Sequence, residues 1–175
     1  MSECAPPLVV VSRSAEETRS VGAAIASLLA PGDVVLLIGE LGSGKTTLTK
    51  GVVEAVGGPG ATSPTFTLSH RYETTPPITH VDCYRIEEGD DLADLALDEV
   101  LDDGSAVIIE WGERLRARFG SDALECTLTT EGSESDGADR RVITFVTHGP
   151  RWTNRLGELR TRVGLSVSGT SSARR

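Results

Sequence analysis

The segment at residues 39–46, GELGSGKT, most restricts the folds open to this chain, because it fits the pattern G-x-x-x-x-G-K-[ST] in full. The continuous apolar run DVVLLI precedes it, as expected of a strand that is buried on both faces. After it, KTTLTKGVVEAV places apolar residues at helical spacing. This context predicts a phosphate-binding loop, in which glycines let successive N–H groups point inward and the helix adds its positive N-terminal dipole.

Six consecutive residues of the loop and the helix start are predicted to bind a nucleotide: Gly42, Ser43, Gly44, Lys45, Thr46 and Thr47. Lys45 would reach the β- and γ-phosphates, and the Thr46 hydroxyl would be a magnesium ligand. A guanine-specific GTPase would need an Asn-Lys-x-Asp segment and an Asp-x-x-Gly switch, and the sequence contains neither. ATP and Mg²⁺ are therefore the expected cofactors.

Two apolar runs each carry a carboxylate that could partner the metal ion, Asp82 in ITHVDCYRI and Glu110 in SAVIIEW. Phosphoryl chemistry in this kind of fold needs an acid at the end of a strand beside the loop strand, and a group that orients the attacking water. On sequence alone either acid fits the first role. The position of Glu110 at the end of the cleaner apolar run favours it as the metal partner. Asp82, between polar neighbours, suits a residue that lines the pocket.

Helical and strand patterns alternate along the rest of the chain. A capping box of Ser14 and Glu17 begins an amphipathic helix that ends before Pro31. The other predicted elements are strands at 64–68, 78–86 and 105–111, a helix at 92–101, and an antiparallel pair at 123–130 and 141–148. This order predicts an α/β fold, a P-loop NTPase-like mixed sheet flanked by helices with a C-terminal antiparallel strand pair.

The formal net charge of −9 argues against a stand-alone nucleic-acid binder, which would need a basic face for phosphates. Residues 151–175 differ from the rest, because they hold six arginines against one glutamate. We expect an ATPase domain at 1–150 and a basic, disordered tail at 151–175, which is either a solvated extension or a contact for RNA or a partner. The sequence shows neither a signal peptide nor a run of about eighteen apolar residues, so we expect a cytoplasmic protein.

Four motifs occur in the order and approximate spacing of one family: GELGSGKTTLTKG, TSPTFTLSHRY, HVDCYRI and IIEWGE. On these residues the chain resembles the bacterial tRNA threonylcarbamoyladenosine biosynthesis ATPase TsaE, also called YjeE, over roughly residues 10–148. It departs from the family's pattern at Ser43, Cys83 and Gly112, where the family usually has Ala, an apolar residue and Pro. The last departure removes a rigid turn after the Glu-Trp pair and leaves the orientation of Glu113 open.

The resemblance implies roles for individual side chains. Thr46 and Glu110 would hold Mg²⁺ together, and Asp82 would be a catalytic group that positions water or supports the metal. Lys45 would be catalytic through its contact with the phosphates. Thr65, in the switch-like loop SPTF, would sense the γ-phosphate.

The resemblance also implies an adenine pocket near Ala15 and Asp139, with Trp111 at the edge of the site. Strand alternation places His80 on the same face as Asp82, so we expect it to lie behind the site. It implies an ATPase that joins a TsaD–TsaB pair, reaches tRNA through that complex, and allows multiple turnover when threonylcarbamoyladenosine forms 3′ of the anticodon. Activity in isolation would be slow, because no arginine finger is assured in cis. Two alternatives stay open, a small-molecule P-loop kinase with RLRARF as its lid, and a nucleotide-sensing adaptor that does not hydrolyse.

Overall fold

A seven-stranded mixed sheet forms the centre of the protein in a computed structural model that describes residues 6–60, 68–85, 97–131 and 140–170. The strands are β1 (Leu8–Ser12), β2 (Val34–Ile38), β3 (Ser69–Tyr72), β4 (Ile78–Asp82), β5 (Ala106–Glu110), β6 (Leu124–Glu131) and β7 (Arg140–Thr147). The helices are α1 (Ala15–Ala26), α2 (Lys45–Ala55), α3 (Leu97–Asp102), α4 (Arg116–Phe119), α5 (Gly149–Thr153) and α6 (Leu156–Thr170). The predicted α/β fold with a mixed sheet is confirmed.

The strand order is β1-β7-β6-β2-β5-β4-β3. Strand β2 pairs in parallel with both β5 and β6, and β5 pairs in parallel with β4. The continuous apolar sequences of β2 and β5 suit these central positions, because helices and loops cover both faces of a parallel sheet. The carboxyl ends of β2, β4 and β5 therefore lie along one edge, where ligands bind in open α/β sheets.

Antiparallel pairing occurs at both sides of the sheet. The predicted pair is confirmed as β6 and β7, with Leu124 opposite Thr147 and Glu131 opposite Arg140. Strand β1 pairs with β7, and β3 pairs with β4. The sequence did not predict β1, because a run of four apolar residues after two prolines carries little periodicity. The predicted strand at 64–68 and the first half of the predicted helix at 92–101 lie almost entirely outside the described residues.

Helices α1 and α2 pack together on one face of the sheet, and two glycines set how closely they approach. A Cβ atom at Gly22 would lie 2.3 Å from the Leu48 carbonyl oxygen, and one at Gly51 would lie 2.1 Å from the Arg19 carbonyl oxygen. The predicted cap of α1 is present, since the Glu17 amide donates to Ser14 Oγ at 3.0 Å. This backbone-to-backbone packing fixes α2, and with it the helix end that follows the loop.

The expectation of a disordered tail is wrong for residues 151–170, which lie in α5, in α6 and in the two-residue turn between them. Trp152, Leu159 and Val163 are buried in the same core cluster as the α1 and α2 side chains. The expectation failed because the tail's basic composition hid four apolar residues at helical spacing, at 152, 156, 159 and 163. We propose that both helices belong to the ATPase domain rather than to a separate tail.

Arg155 attaches this C-terminal segment to the start of the loop strand. It donates to the two carboxylate oxygens of Asp33 at 2.6 and 2.8 Å and to the Leu28 carbonyl at 2.6 Å. The Asp33 side chain is fully buried and directly precedes β2. A buried carboxylate needs such partners, because its desolvation is costly. Among the described residues no helix is long and apolar enough to cross a membrane.

Candidate active site

The glycine-rich loop joins the carboxyl end of β2 to the first turn of α2. Its backbone has positive φ at Gly39 (149°), Gly42 (78°) and Gly44 (105°), a region that side chains with a Cβ rarely adopt. Gly44 is the N-cap residue of α2. The sequence-predicted residues 42–47 therefore lie in the loop and the first helical turn, where backbone N–H groups have no partner inside the helix.

Lys45 lies buried at the start of α2, and its ammonium group reaches back over the loop. Its Nζ donates to the carbonyl oxygens of Gly39 and Glu40 at 2.7 and 2.9 Å, and it lies 4.0 Å from the centre of the Trp111 ring. Burial lowers the pKa of Lys45, and the nearby Glu110 carboxylate opposes that shift. The loop carbonyls and the aromatic ring thus hold one cation at the mouth of the loop.

A short chain of hydrogen bonds links the helix start to two neighbouring strands. Thr46 Oγ1 donates to Glu110 Oε2 at 2.9 Å, and Glu110 Oε1 lies 2.9 Å from His80 Nε2. The Glu110 residue is 3% exposed and the His80 side chain is fully buried. Because Glu110 bonds to both neighbours, its carboxylate has a fixed orientation although it lies almost out of water.

Asp82 and Glu110 end adjacent parallel strands and are register partners. Their carboxylates therefore occupy the same edge of the sheet as the loop. The Asp82 residue is half-buried, and its Oδ1 accepts the Tyr84 backbone N–H at 3.0 Å. Glu110 faces the first turn of α2, whereas Asp82 lies one strand further from the loop. The roles that the sequence suggested for the two acids stay predictions.

Trp111 follows Glu110 in an unusual left-handed backbone conformation, with φ of 59°. This conformation is uncommon outside glycine, so its occurrence beside the loop lysine marks a constrained position. The Trp111 ring packs on Tyr84 with ring centres 5.1 Å apart. A Cβ atom at Gly112 would lie 2.8 Å from Leu36 Cβ, so the chain returns close to β2 directly after the tryptophan. Glycine at 112 permits that close approach.

The structure brings together Lys45, Thr46, Asp82 and Glu110, which the sequence placed in one site. Ala15 is the first residue of α1, on the helix that packs against α2. Thr65 and Asp139 lie outside the described residues, so their roles stay predictions.

Sequence reasoning missed Arg141, which contacts the loop from β7. Its Nε donates to the Ser43 carbonyl at 3.0 Å. The alternation of side chains along the strand could have identified Arg141, since it shares a face of β7 with the buried Ile143 and Phe145. An arginine in that apolar series faces the helices instead of open solvent.

The oxygen atoms of Thr46 and Glu110 suit Mg²⁺, which prefers oxygen ligands and usually takes only one or two carboxylates from a protein, with phosphates and water completing the shell. Because Mg²⁺ is usually bound by one or two protein side chains together with phosphates, these two oxygen atoms beside the glycine-rich loop fit it. Within the described ranges, no group of three or more His, Cys, Asp or Glu side chains is placed to hold a metal ion.

Comparisons with known proteins show what this chain is similar to. The family model "Threonylcarbamoyl adenosine biosynthesis protein TsaE" matches residues 12–142. A Streptomyces coelicolor protein named tRNA threonylcarbamoyladenosine biosynthesis protein TsaE is 43% identical over 77% of this chain and 93% of its own length. A Bacillus subtilis protein of the same name is 35% identical, covering 86% and 92%. The crystal structure of Bacillus subtilis YdiB superposes with a TM-score of 0.70 at 31% identity, covering 88% of this chain and 94% of that one.

Proposed function

Because the chain belongs to the TsaE family, we propose that it binds ATP with Mg²⁺ at this site and hydrolyses it together with TsaD- and TsaB-like partners. The family and its P-loop fold make the protein a nucleotide-binding ATPase with a role in tRNA threonylcarbamoyladenosine formation. The observation that best supports binding of ATP with Mg²⁺ is the 2.9 Å hydrogen bond from Thr46 Oγ1 to Glu110 Oε2, at the end of the loop. This bond pairs two oxygen ligands where a bound nucleotide would present its β- and γ-phosphates.

Each side chain has a defined task in the proposed reaction. The loop N–H groups and the Lys45 ammonium bind the phosphates. Thr46 and Glu110 would hold Mg²⁺, which supplies neutralisation of the charge that develops on the phosphate oxygens. His80 keeps the Glu110 carboxylate in its orientation through the 2.9 Å contact at Nε2.

Asp82 would orient the attacking water from the neighbouring strand, as a carboxylate that accepts a hydrogen bond from it. Its own orientation is supported by the Tyr84 backbone N–H. Thr65 is proposed to sense the γ-phosphate, and Ala15 and Asp139 to contact the adenine. These three assignments rest on the resemblance of the motifs alone.

Dependence on a partner is supported by apolar side chains around the site. Leu41 in the loop is 79% exposed, Tyr84 beside Asp82 is 52% exposed, and Leu68, whose carbonyl accepts the Asp82 N–H, is 41% exposed. Large apolar side chains exposed around one site are typical of protein contact surfaces. We propose that TsaD- and TsaB-like proteins cover this surface and complete the site, so that hydrolysis is slow in isolation and allows multiple turnover of tRNA modification in the complex.

Phosphate release tests the proposal. ATP is incubated with the protein in Mg²⁺ or in chelator, each with and without a TsaD–TsaB pair. We expect Mg²⁺-dependent release that rises when the pair is added, is lost in Glu110→Gln, and is kept in Glu54→Gln, an exposed acid at the end of α2 that is far from the loop. Absence of release with both Mg²⁺ and the pair would contradict the proposal. A phosphorylated small molecule among the products would establish the kinase alternative instead.

A further inference from the structure

We propose that Arg141 is a positioning residue of the phosphate loop, holding the Ser43–Gly44 peptide in the orientation that nucleotide binding requires. The proposal rests on the nucleotide-binding function above and adds a cation from β7 to the site. The contact that carries it is the 3.0 Å hydrogen bond from Arg141 Nε to the Ser43 carbonyl oxygen.

Sheet topology explains how a residue 98 positions away in sequence reaches the loop. Strand β6 is parallel to β2, and β7 is antiparallel to β6, so β7 begins at the edge where β2 ends. Arg141 is the second residue of β7, opposite Thr130 of β6. It shares a face with Ile143 and Phe145, which pack in the same core cluster as the buried residues of α2. The guanidinium is therefore directed at the end of α2 that carries the loop.

Because the peptide bond is planar, a contact that holds its carbonyl oxygen also fixes the direction of its N–H group. In a trans peptide the C=O and the N–H point in opposite directions. When Arg141 holds the Ser43 carbonyl, the Gly44 N–H of the same peptide is directed away from Arg141. Gly44 is the N-cap of α2, and N–H groups at such a helix start bind phosphate oxygens. A rotation of this peptide would replace a donor by a carbonyl oxygen, which repels phosphate.

A second observation shows how tightly the arginine and the loop are packed. A Cβ atom on Gly44 would lie 2.7 Å from Arg141 Nε and 2.9 Å from Arg141 Cδ. The φ of Gly44 is 105°, and glycine has no side chain that would restrict its backbone to one conformation. Nothing within the residue itself therefore favours the observed orientation of the Ser43–Gly44 peptide. The flexible glycine therefore depends on an external contact, and Arg141 supplies one.

Arg140 is the matched control for the test. It precedes Arg141 on the opposite face of β7 and pairs with the half-exposed Glu131 at 3.1 Å. An exposed pair of this kind contributes little. Arg141→Met removes the donor and keeps the length of the side chain as far as the Nε position, whereas Arg141→Gln places a neutral amide N–H at that position. Arg141→Ala is measured in parallel, so that the result does not depend on the folding of one variant.

Two measurements test the proposal. Hydrogen exchange of the loop peptide at 39–46, without nucleotide, should be faster in Arg141→Met and Arg141→Ala than in Arg140→Met, and close to wild type in Arg141→Gln. Calorimetry with ADP and Mg²⁺ should give a Kd about tenfold higher in Arg141→Met than in Arg140→Met, the effect of losing one charge-assisted hydrogen bond. Circular dichroism should show the same fold in all variants that are compared.

Loop exchange and ADP affinity in Arg141→Met that equal those of Arg140→Met would overturn the proposal. So would a loss of ADP affinity in Arg141→Met that Arg141→Gln does not partly restore. Failure of the wild-type protein to bind ADP or ATP would instead refute the proposed function. The exchange measurement, made without nucleotide, would still decide the role of Arg141 in that case.

Discussion

Removing Arg155 should destabilise the whole domain, because its partner Asp33 is fully buried at the start of the loop strand. In Arg155→Met the carboxylate loses hydrogen bonds of 2.6 and 2.8 Å and keeps the Ala30 N–H, with an Arg151 nitrogen 3.8 Å away. Breaking a buried ion pair by removing one partner costs about 3–5 kcal/mol. Because Arg155 is 23% exposed and Arg151 stays near, we expect the lower end, about 3 kcal/mol. For a chain of this size that corresponds to a fall in Tm of about 6–12 °C.

Thermal unfolding followed by circular dichroism measures this effect. Arg162→Met is the control, because Arg162 lies in α6, which begins directly after Arg155, and pairs with the exposed Glu158 one turn away. Such a pair contributes about 0.3–0.5 kcal/mol, so the control should shift the Tm by only about 1–2 °C. Asp33→Asn combined with Arg155→Met should recover part of the loss, since the uncompensated charge is then gone. Equal shifts for Arg155→Met and Arg162→Met would refute the argument that this segment is anchored by a buried charge.

Three further predictions concern the site and a buried thiol. Lys45→Ala should weaken ATP binding at least about tenfold, whereas Asp82→Ala should keep ATP affinity and slow hydrolysis about a hundredfold. Calorimetry measures the affinity and phosphate release measures the hydrolysis. Equal losses of ATP affinity in the two variants would contradict this division of roles. His80→Leu should raise the Mg²⁺ concentration needed for tight ATP binding about tenfold, because Glu110 loses the group that orients it. A magnesium titration that matches wild type would show that His80 does not orient Glu110. Burial raises the pKa of Cys83 to about 12, so the thiol stays protonated at pH 8 and should be alkylated rapidly only after unfolding. Mass spectrometry of the Cys83 peptide after brief alkylation at pH 8 checks this, and rapid labelling of the folded protein would contradict it.

The sequence predicted the parts of the site whose signal is local. The loop at 39–46 carries its own pattern, and the apolar run before Glu110 identifies both a central strand and an acid at its end. The pairing of Glu110 with Thr46 was implied by the resemblance of the motifs, and the structure places the two side chains in hydrogen-bond contact. The position of each acid relative to its strand favoured Glu110 over Asp82 as the metal partner, and this choice stays a prediction.

The features that the sequence did not predict depend on contacts between distant residues. Arg155 looks like one of several arginines in a basic tail until Asp33, 122 positions earlier, is placed beside it. Arg141 carries no motif, and its role depends on β7 lying two strands from the loop strand. Composition suggested disorder for the last helix because apolar residues are sparse there, although three of them suffice to pack it against the core.

Repeated tRNA modification is the measurement that decides whether this ATPase site serves threonylcarbamoyladenosine formation. A TsaD–TsaB pair, tRNA and the threonylcarbamoyl donor are incubated with wild-type protein, with Lys45→Ala, or with neither, while ATP hydrolysis is followed in the same tube. We predict that modified tRNA exceeds the amount of the TsaD–TsaB pair only with the wild-type protein and hydrolysable ATP. Equal product without the protein, with Lys45→Ala, or with a non-hydrolysable ATP analogue would contradict the proposed function.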